Sequence, residues 1–316
     1  MAFETIIAVI ALIFGIALLT LSSDKAIEHL IKIASEWKVS PLMIGLILAS
    51  IGTDLPEIIN SIESSLLGHG NINVGDSLGS ALAQMSLVLG LLPFLARGFK
   101  VTRKKVLVIG ACEVLALMFA VSIAEKGYIS QINALFLVAS WIIFMLLTRS
   151  LMARKVKEKE QVETSTDERH LRHFVIAGLG FIGVAVGAFI VIWSVITLST
   201  AFHIPEYLIS FFVLAIGTSL PELVVDVMAL RRKQYELAIG DIIGSSIVDA
   251  SLSIGIGPLL KPIKVNGAFV MITGLYAIFV SIVIISLLAL REKVDRKIGA
   301  LFIALYLFSY ATLSVT

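Results

Sequence analysis

Ile51-Gly-Thr-Asp-Leu-Pro-Glu57 is the stretch that decides the architecture, because it returns almost unchanged as Ile216-Gly-Thr-Ser-Leu-Pro-Glu222. The offset between the two copies is 165 residues (Ile51 to Ile216), and it continues without a gap beyond the motif. The residues paired at this offset are Gly75-Asp76 with Gly240-Asp241, Gly79-Ser80 with Gly244-Ser245, Ser86-Leu87 with Ser251-Leu252, Gly90 with Gly255, and Pro93 with Pro258. A register kept over this distance indicates an internal duplication.

The composition is that of a membrane protein. Of 316 residues, 58% are hydrophobic and 15% are charged, and the mean hydropathy is +0.99. A soluble domain is about 45–50% apolar and about 25% charged, so we expect a polytopic membrane protein in the lipid bilayer and not a water-soluble enzyme. The single cysteine, Cys112, excludes a disulfide framework and a thiolate metal cluster. The net charge of +2 gives no indication of nucleic-acid binding.

At roughly 20 apolar residues per span, the chain has room for about ten transmembrane helices. The segment 22–40 is amphipathic and is predicted to extend the first helix along the membrane surface. A charged linker, 150–172, separates an N-terminal unit, 1–149, from a C-terminal unit, 173–316. The predicted spans are 5–21, 41–67, 72–96, 104–124, 129–149, 173–198, 206–230, 237–260, 266–290 and 297–314.

The basic residues orient these spans. All of the 25 Lys and Arg residues lie in alternate loops except Lys126, Lys261 and Lys264. The positive-inside rule places the basic loops, including the 150–172 linker, in the cytoplasm. Both termini are then extracellular, and we expect the protein in the cell (plasma) membrane.

Five spans in each half is an odd number, so the second copy must cross the membrane in the opposite direction to the first. The predicted fold class is an all-α membrane protein with ten transmembrane helices in two inverted-topology five-helix repeats. Secondary transporters with such repeats place the substrate site near the midplane, where the halves meet.

The duplicated motif breaks the rules for a transmembrane helix in both halves. Pro56 has no N–H for the carbonyl four residues back, and Gly52 and Thr53 loosen the same turn. Carbonyls released inside the bilayer need partners, and a cation in a cavity is a suitable one. Glu57 and Glu222 follow directly, and a charge at this depth costs about 2.5–3.5 kcal/mol on insertion scales. We therefore predict that these two glutamates are functional.

The third and eighth predicted spans add polar residues in matching places. Ser80 and Gln84, like Ser245 and Asp249, are four residues apart and share a helix face. With the two glutamates they make an all-oxygen shell, which suits Ca²⁺ and Na⁺. No His or Cys joins the set, which argues against zinc, copper and iron. Since two nearby buried carboxylates repel, an empty site would take up cations, which favours an exchange mechanism.

Two copies of Gly-Thr-x-Leu-Pro-Glu, each followed by Gly-Asp-x-x-Gly-Ser, resemble the α-repeats of the sodium/calcium exchanger family within the calcium:cation antiporters. The resemblance implies Ca²⁺/Na⁺ antiport by alternating access, with the first and sixth spans as a sliding pair and no cofactor. It implies that Glu57 and Glu222 bind Ca²⁺ with the carbonyls of Thr53 and Thr218. The Na⁺ sites it implies add Ser80, Ser245 and the carbonyls of Ser50 and Ala215, with Gln84 and Asp249 at a central position shared by both ions.

Two departures from the family pattern leave the driving ion open. Gln84 stands where asparagine is usual, and Asp54 stands where serine is usual, whereas the second half keeps Ser219. An extra carboxylate at residue 54 could admit a proton or K⁺, so H⁺/Ca²⁺ exchange and K⁺-dependent Na⁺/Ca²⁺ exchange remain alternatives. We expect the chain to function as a monomer, because both repeats of one chain complete the site.

Other classes of function and other acidic residues also need assignment. A passive cation channel would fit broken helices, and an intramembrane aspartyl protease would use Asp76 and Asp241. These two aspartates are predicted near helix starts, where capping is as plausible as ion contact. Asp226 is predicted to hydrogen-bond within the bundle, with the lining of an ion path as the alternative. Glu113 is interpreted as a structural or lipid-edge residue.

Overall fold

The computed structural model describes residues 2–36, 40–96, 98–152, 167–201 and 215–313, and these are mostly helical. In these ranges, three short π-helical segments interrupt the helices: π1 (Gly45–Ala49), π2 (Gln84–Val88) and π3 (Asp249–Ser253). The first-half helices and strands are α1 (Ala2–Glu36), α2 (Pro41–Ile44), α3 (Ser50–Thr53), α4 (Leu55–Leu67), α5 (Gly70–Ala83), α6 (Leu89–Leu95), β1 (Phe99–Lys100), α7 (Arg103–Ala124), β2 (Tyr128–Ile129) and α8 (Gln131–Met152). The remaining elements are α9 (Asp167–Ala201), α10 (Ala215–Thr218), α11 (Leu220–Arg231), α12 (Tyr235–Val248), α13 (Ile254–Leu260), β3 (Ile263–Lys264), α14 (Gly267–Arg291), β4 (Lys293–Val294) and α15 (Arg296–Leu313).

Within the described residues, spanning helices occur at six of the ten predicted spans. Within the described ranges, five helices are long and apolar enough to cross a membrane, and the pair Pro41–Thr53 and Leu55–Leu67 adds a sixth, bent by 48°. The extension of the first helix is confirmed as far as Glu36. The first part of the predicted span 206–230 lies outside the described ranges. The middle of the 150–172 linker and the last three residues also lie outside them. The five straight spans are Gly70–Leu95, Arg103–Ala124, Gln131–Leu151, Tyr235–Leu260 and Gly267–Arg291.

Pairs of short strands connect the loops at the ends of the helices. Strand β1 pairs with β4, and β2 pairs with β3, both in antiparallel fashion. The first pair joins two of the basic loops, and Arg232 also binds Asp24 at 2.6 Å, so segments rich in Lys and Arg meet at one end. The second pair lies at the opposite end, where Lys261 donates to the Leu66 carbonyl at 2.8 Å. The molecule thus has one end rich in Lys and Arg, called the basic end, and an opposite end with few basic residues.

Two repeat-related helices form the centre of the bundle. The segment Tyr235–Leu260 is 94% buried and Gly70–Leu95 is 78% buried, against 33% for Gln131–Leu151 at the periphery. Helix α12 packs closely on π1, because a Cβ at Gly244 would lie 2.8 Å from the Leu46 carbonyl oxygen. Outward-facing residues such as Ile132 and Phe189 are large and apolar, as expected of a surface in contact with lipid.

The interior is acidic. Eight carboxylic side chains are buried in the described part of the chain, and no Lys or Arg is buried there with them. Buried charges are ordinarily paired or bound to metal, so this set needs protons or cations from outside the protein. The eight residues are Asp54, Glu57, Asp76, Glu113, Glu222, Asp226, Asp241 and Asp249.

Candidate cation site

The predicted helix breaks are present in both halves. Helix α3 ends at Thr53 and α4 begins at Leu55, with Asp54 at φ −79° and ψ 8° between them. Ser219 separates α10 from α11 with nearly the same angles, φ −83° and ψ 3°. Each proline is the second residue of the helix that follows, where its missing N–H costs no hydrogen bond. The conserved spacing of the motif therefore produces the same break twice.

The two glutamates lie just after these breaks. Glu57 and Glu222 are each in the first turn of the new helix, where unpaired N–H groups and the helix dipole favour negative charge. Glu57 is 1% exposed and Glu222 is 0% exposed. No donor of the described residues forms a hydrogen bond with any of their four carboxylate oxygens. The two buried side chains are close enough to interact electrostatically.

Hydroxyl pairs join the halves across a pseudo-two-fold axis. The Thr53 hydroxyl lies 3.3 Å from the Ser245 hydroxyl, and the Ser80 hydroxyl lies 3.1 Å from that of Thr218. Thr53 corresponds to Thr218 in the repeat, and Ser80 corresponds to Ser245, so each contact is the image of the other. The broken helix of each half thus meets the central helix of the opposite half.

A cluster of three carboxylates lies at this junction. Asp54, Glu57 and Asp249 each present one oxygen, and these three atoms lie within 4.8 Å of one another. Gln84 donates to Asp54 at 3.4 Å, and Glu222 interacts electrostatically with Asp54. The structure therefore brings together both glutamates and the first-half aspartate that departs from the family pattern. Carboxylate, amide and hydroxyl oxygens in this number are the ligands of a hard cation.

Two π-helical segments shape the site and were not predicted from the sequence. Gln84 begins π2 and Asp249 begins π3, and the two segments are repeat-related. A π-bulge within an α-helix widens one turn and is frequent at functional sites. Each bulge here begins at the residue whose side chain joins the cluster. Nothing in the local composition distinguishes these turns from ordinary helix.

One of the backbone carbonyls implied by the resemblance as an ion ligand already accepts hydrogen bonds within the protein. The Ser50 carbonyl accepts from the Asp54 N–H at 2.9 Å and from the Thr53 hydroxyl at 3.2 Å. It would have to share its oxygen with a cation. Ala215 is the first residue of α10, and its side chain is outside the described set.

The structure contradicts the predicted helix-start position of Asp76 and Asp241 and decides between the two interpretations of Glu113. Asp76 and Asp241 do not cap helices, because α5 begins at Gly70 and α12 begins at Tyr235, more than a turn earlier. Glu113 does not lie at a lipid edge, because it is 0% exposed. It accepts hydrogen bonds from Ser246 at 3.1 Å and Ser281 at 2.7 Å, which is a structural role.

The two aspartates of the protease hypothesis have different partners. Asp76 accepts from the Asn60 amide at 2.5 Å, whereas Asp241 lies beside Asp226. An aspartyl protease needs its two carboxylates to share one proton. The partners found here do not supply that arrangement between Asp76 and Asp241.

The chain is similar to known membrane proteins over most of its length. The family described as "Sodium/calcium exchanger protein" matches residues 7–149 and 172–315. An uncharacterized membrane protein of Methanocaldococcus jannaschii is 29% identical over 303 residues, covering 95% of this chain and 96% of its own length. Sodium/calcium exchanger MaX1 of Methanosarcina acetivorans is 24% identical over 333 residues, covering 93% and 95%. The solved structure of the sodium-calcium exchanger NCX_Mj, soaked with 10 mM Na⁺ and zero Ca²⁺, has a TM-score of 0.81 at 29% identity, covering 98% of this chain and 99% of that one.

Proposed function

Since the chain belongs to the sodium/calcium exchanger family, we propose that it is a secondary active antiporter that exchanges Ca²⁺ for Na⁺ by alternating access. The observation that carries the proposal is the meeting of carboxylates from both halves in one buried cluster. No cationic side chain of the described ranges is buried beside them. Such a cluster has a strong requirement for cations and, once filled, little net charge.

Glu57 and Glu222 are the proposed Ca²⁺ ligands, together with the carbonyls of Thr53 and Thr218. Their supporting feature is that, in the part of the chain that the structure describes, no donor forms a hydrogen bond with the four glutamate oxygens. Na⁺ would use the same glutamates with hydroxyl and carbonyl oxygens. The further proposed ligands are Ser80, Ser245, Asp249, Gln84, Asp54, Ser50 and Ala215.

Electrostatics couples the two ion fluxes. Two unit negative charges 4.8 Å apart repel by about 3.5 kcal/mol at an effective dielectric constant of about 20. Occluding the empty cluster would therefore be costly, whereas one Ca²⁺ or several Na⁺ would neutralise it. The protein crosses between its inward-open and outward-open states only when loaded, and exchange is the result.

Helices α1 and α9 are the proposed moving pair. They pack along each other for much of their length, and a Cβ at Gly180 would lie 2.9 Å from the Cβ of Ala26. Small residues at this contact let two helices approach closely and leave few side chains that would obstruct sliding.

The ten-span inverted topology, extracellular termini and monomeric function are part of the proposal. The segregation of basic loops at one end supports the topology.

Asp54 favours a second candidate, in which H⁺ or K⁺ takes part in exchange. It brings one more carboxylate into the cluster than Ser219 does at the equivalent place. That additional negative charge could be neutralised by a proton or by a second monovalent cation. The driving ion is therefore the first property to measure.

The test is Ca²⁺ uptake into proteoliposomes with an outward gradient of Na⁺, H⁺ or K⁺ applied one at a time. We expect uptake with the Na⁺ gradient and its loss in Glu57→Gln and Glu222→Gln, each checked for folding by size-exclusion chromatography. Uptake driven by protons alone would replace Na⁺ with H⁺ in the proposal. Ca²⁺ flux without any counter-ion gradient would favour a channel instead.

A further inference from the structure

A second pair of buried acids lies outside the cation cluster. Asp226 on α11 and Asp241 on α12 interact across the helical hairpin that these helices form. Both side chains are 0% exposed, and no donor of the described residues forms a hydrogen bond with any of their four oxygens. Two carboxylates cannot donate to each other when both are ionised. The pair therefore needs a proton or another cation to neutralise it.

The position of the pair places it on a route to the cluster. Asp226 is four residues after Glu222, and Asp241 is four residues before Ser245, so each is one turn, about 6 Å, from a proposed ion ligand. Both lie on the side nearer the hairpin turn at 232–234. That turn belongs to the basic end of the molecule. A cation moving between this end and the cluster would pass close to both carboxylates.

The first half is built differently at the equivalent place. Asp241 corresponds to Asp76, whose carboxylate accepts from the Asn60 amide at 2.5 Å. Asp226 corresponds to Ser61, whose hydroxyl accepts from the Asn73 amide at 3.0 Å. The first half therefore supplies protein donors where the second half supplies only a second acid. Fold symmetry does not account for the Asp226–Asp241 pair, so the pair has a requirement of its own.

We propose that Asp226 and Asp241 form a second site for a hard metal cation, on the path between the exchange site and the basic end. The inference rests on the proposed function in one respect, namely that the cargo is such a cation. Carboxylate oxygens are ligands of Ca²⁺ and Na⁺. A cation held there one turn from the cluster repels the ion inside it, so occupancy of successive sites promotes release, as in other multi-site conduction paths. The site also raises the local cation concentration at this face.

The direct test is anomalous diffraction from crystals of the full chain soaked in Sr²⁺. We expect two Sr²⁺ peaks, one at the cluster of Asp54, Glu57 and Asp249 and one between Asp226 and Asp241. In Asp226→Asn the second peak disappears and the first remains. A peak at the cluster alone, at a Sr²⁺ concentration that saturates transport, would overturn the inference and leave the proposed function intact. Absence of both peaks would count against the proposed function itself.

Transport kinetics give a second readout, which does not depend on crystals. Asp226→Asn and Asp241→Asn are expected to raise the KM for Ca²⁺ by about tenfold or more, the lower bound of electrostatic focusing, with little change in the maximal rate. Glu236→Gln, which removes the half-buried acid that pairs with Lys105 at the start of the same helix, α12, is the matched control and should leave KM unchanged. A fall in maximal rate with an unchanged KM, in variants that elute as the wild type does, would assign the pair a structural role and overturn the inference.

Discussion

Asp54→Asn tests the electrostatic account of ion selectivity, because it removes one charge and keeps the size of the side chain. Asp54 lies within 4.8 Å of Glu57 and Asp249, so a cation bound by those residues lies at a comparable distance from it. At that distance a unit charge contributes about 3.5 kcal/mol to a monovalent ion and about 7 kcal/mol to a divalent ion, at an effective dielectric constant of about 20. Relaxation and hydration reduce both values, but the divalent ion always loses more.

The expected result is a change in selectivity. If relaxation leaves only a third of the difference, about 1 kcal/mol remains, which is about a fivefold change in the ratio of affinities. The KM for Ca²⁺ of Asp54→Asn should therefore rise at least fivefold more than the KM for Na⁺. Both are measured in proteoliposomes, by varying external Ca²⁺ at fixed internal Na⁺ and the reverse.

The chain offers a matched control for this experiment at Ser219, the repeat counterpart of Asp54. Asp54→Ser should lower the preference for Ca²⁺, and adding Ser219→Asp to it should restore much of that preference by returning the charge from the other half. Equal changes in the two KM values would refute the electrostatic reasoning. So would a double variant that is no better than Asp54→Ser.

Three further predictions concern stability and packing, with Tm measured on detergent-solubilised protein and Ca²⁺ uptake measured in proteoliposomes. Gly244→Ala should lower Tm and reduce Ca²⁺ uptake, because the new methyl group would meet the backbone of π1, whereas Gly178→Ala, which meets nothing within 4 Å, should change neither. Glu113→Leu should cost about 1–3 kcal/mol for each serine hydroxyl left without an acceptor, and Glu113→Gln should cost less; equal Tm losses would contradict this. The Ile298 N–H donates to Asp295 and lowers the pKa of that carboxyl. The Tm difference between wild type and Asp295→Ala should therefore be full above the ordinary aspartate pKa of about 3.9 and should shrink as the pH falls below it. A Tm difference independent of pH would contradict a stabilising role for this hydrogen bond.

The sequence predicted the helix breaks and the meeting of the two acids because both depend on local chemistry repeated in register. Proline after Gly-Thr removes a backbone donor wherever it stands, and the acid that follows it must be placed out of lipid. Duplication with an odd number of spans then brings Glu57 and Glu222 towards one place. These inferences need no knowledge of side-chain packing.

The remaining features depend on packing between distant segments, which the sequence does not encode in any local pattern. Asp76 was expected near a helix start because the predicted span begins at residue 72, yet the helix already begins at Gly70. Glu113 binds serines that lie 133 and 168 residues further along the chain. The pairing of Asp226 with Asp241 requires the geometry of the hairpin, and the π-helical turns leave no signal in composition.

Equilibrium binding of ⁴⁵Ca²⁺ to the purified chain is the most direct measure of whether the two halves form one pocket. In an Asp226→Asn background, which removes the second proposed site, the chain should bind one high-affinity Ca²⁺, and adding Glu57→Gln or Glu222→Gln should each abolish that same binding event, although the substitutions lie in different halves. Two high-affinity ions per chain, with one retained in each variant, would mean that the halves bind Ca²⁺ separately and would contradict the shared site.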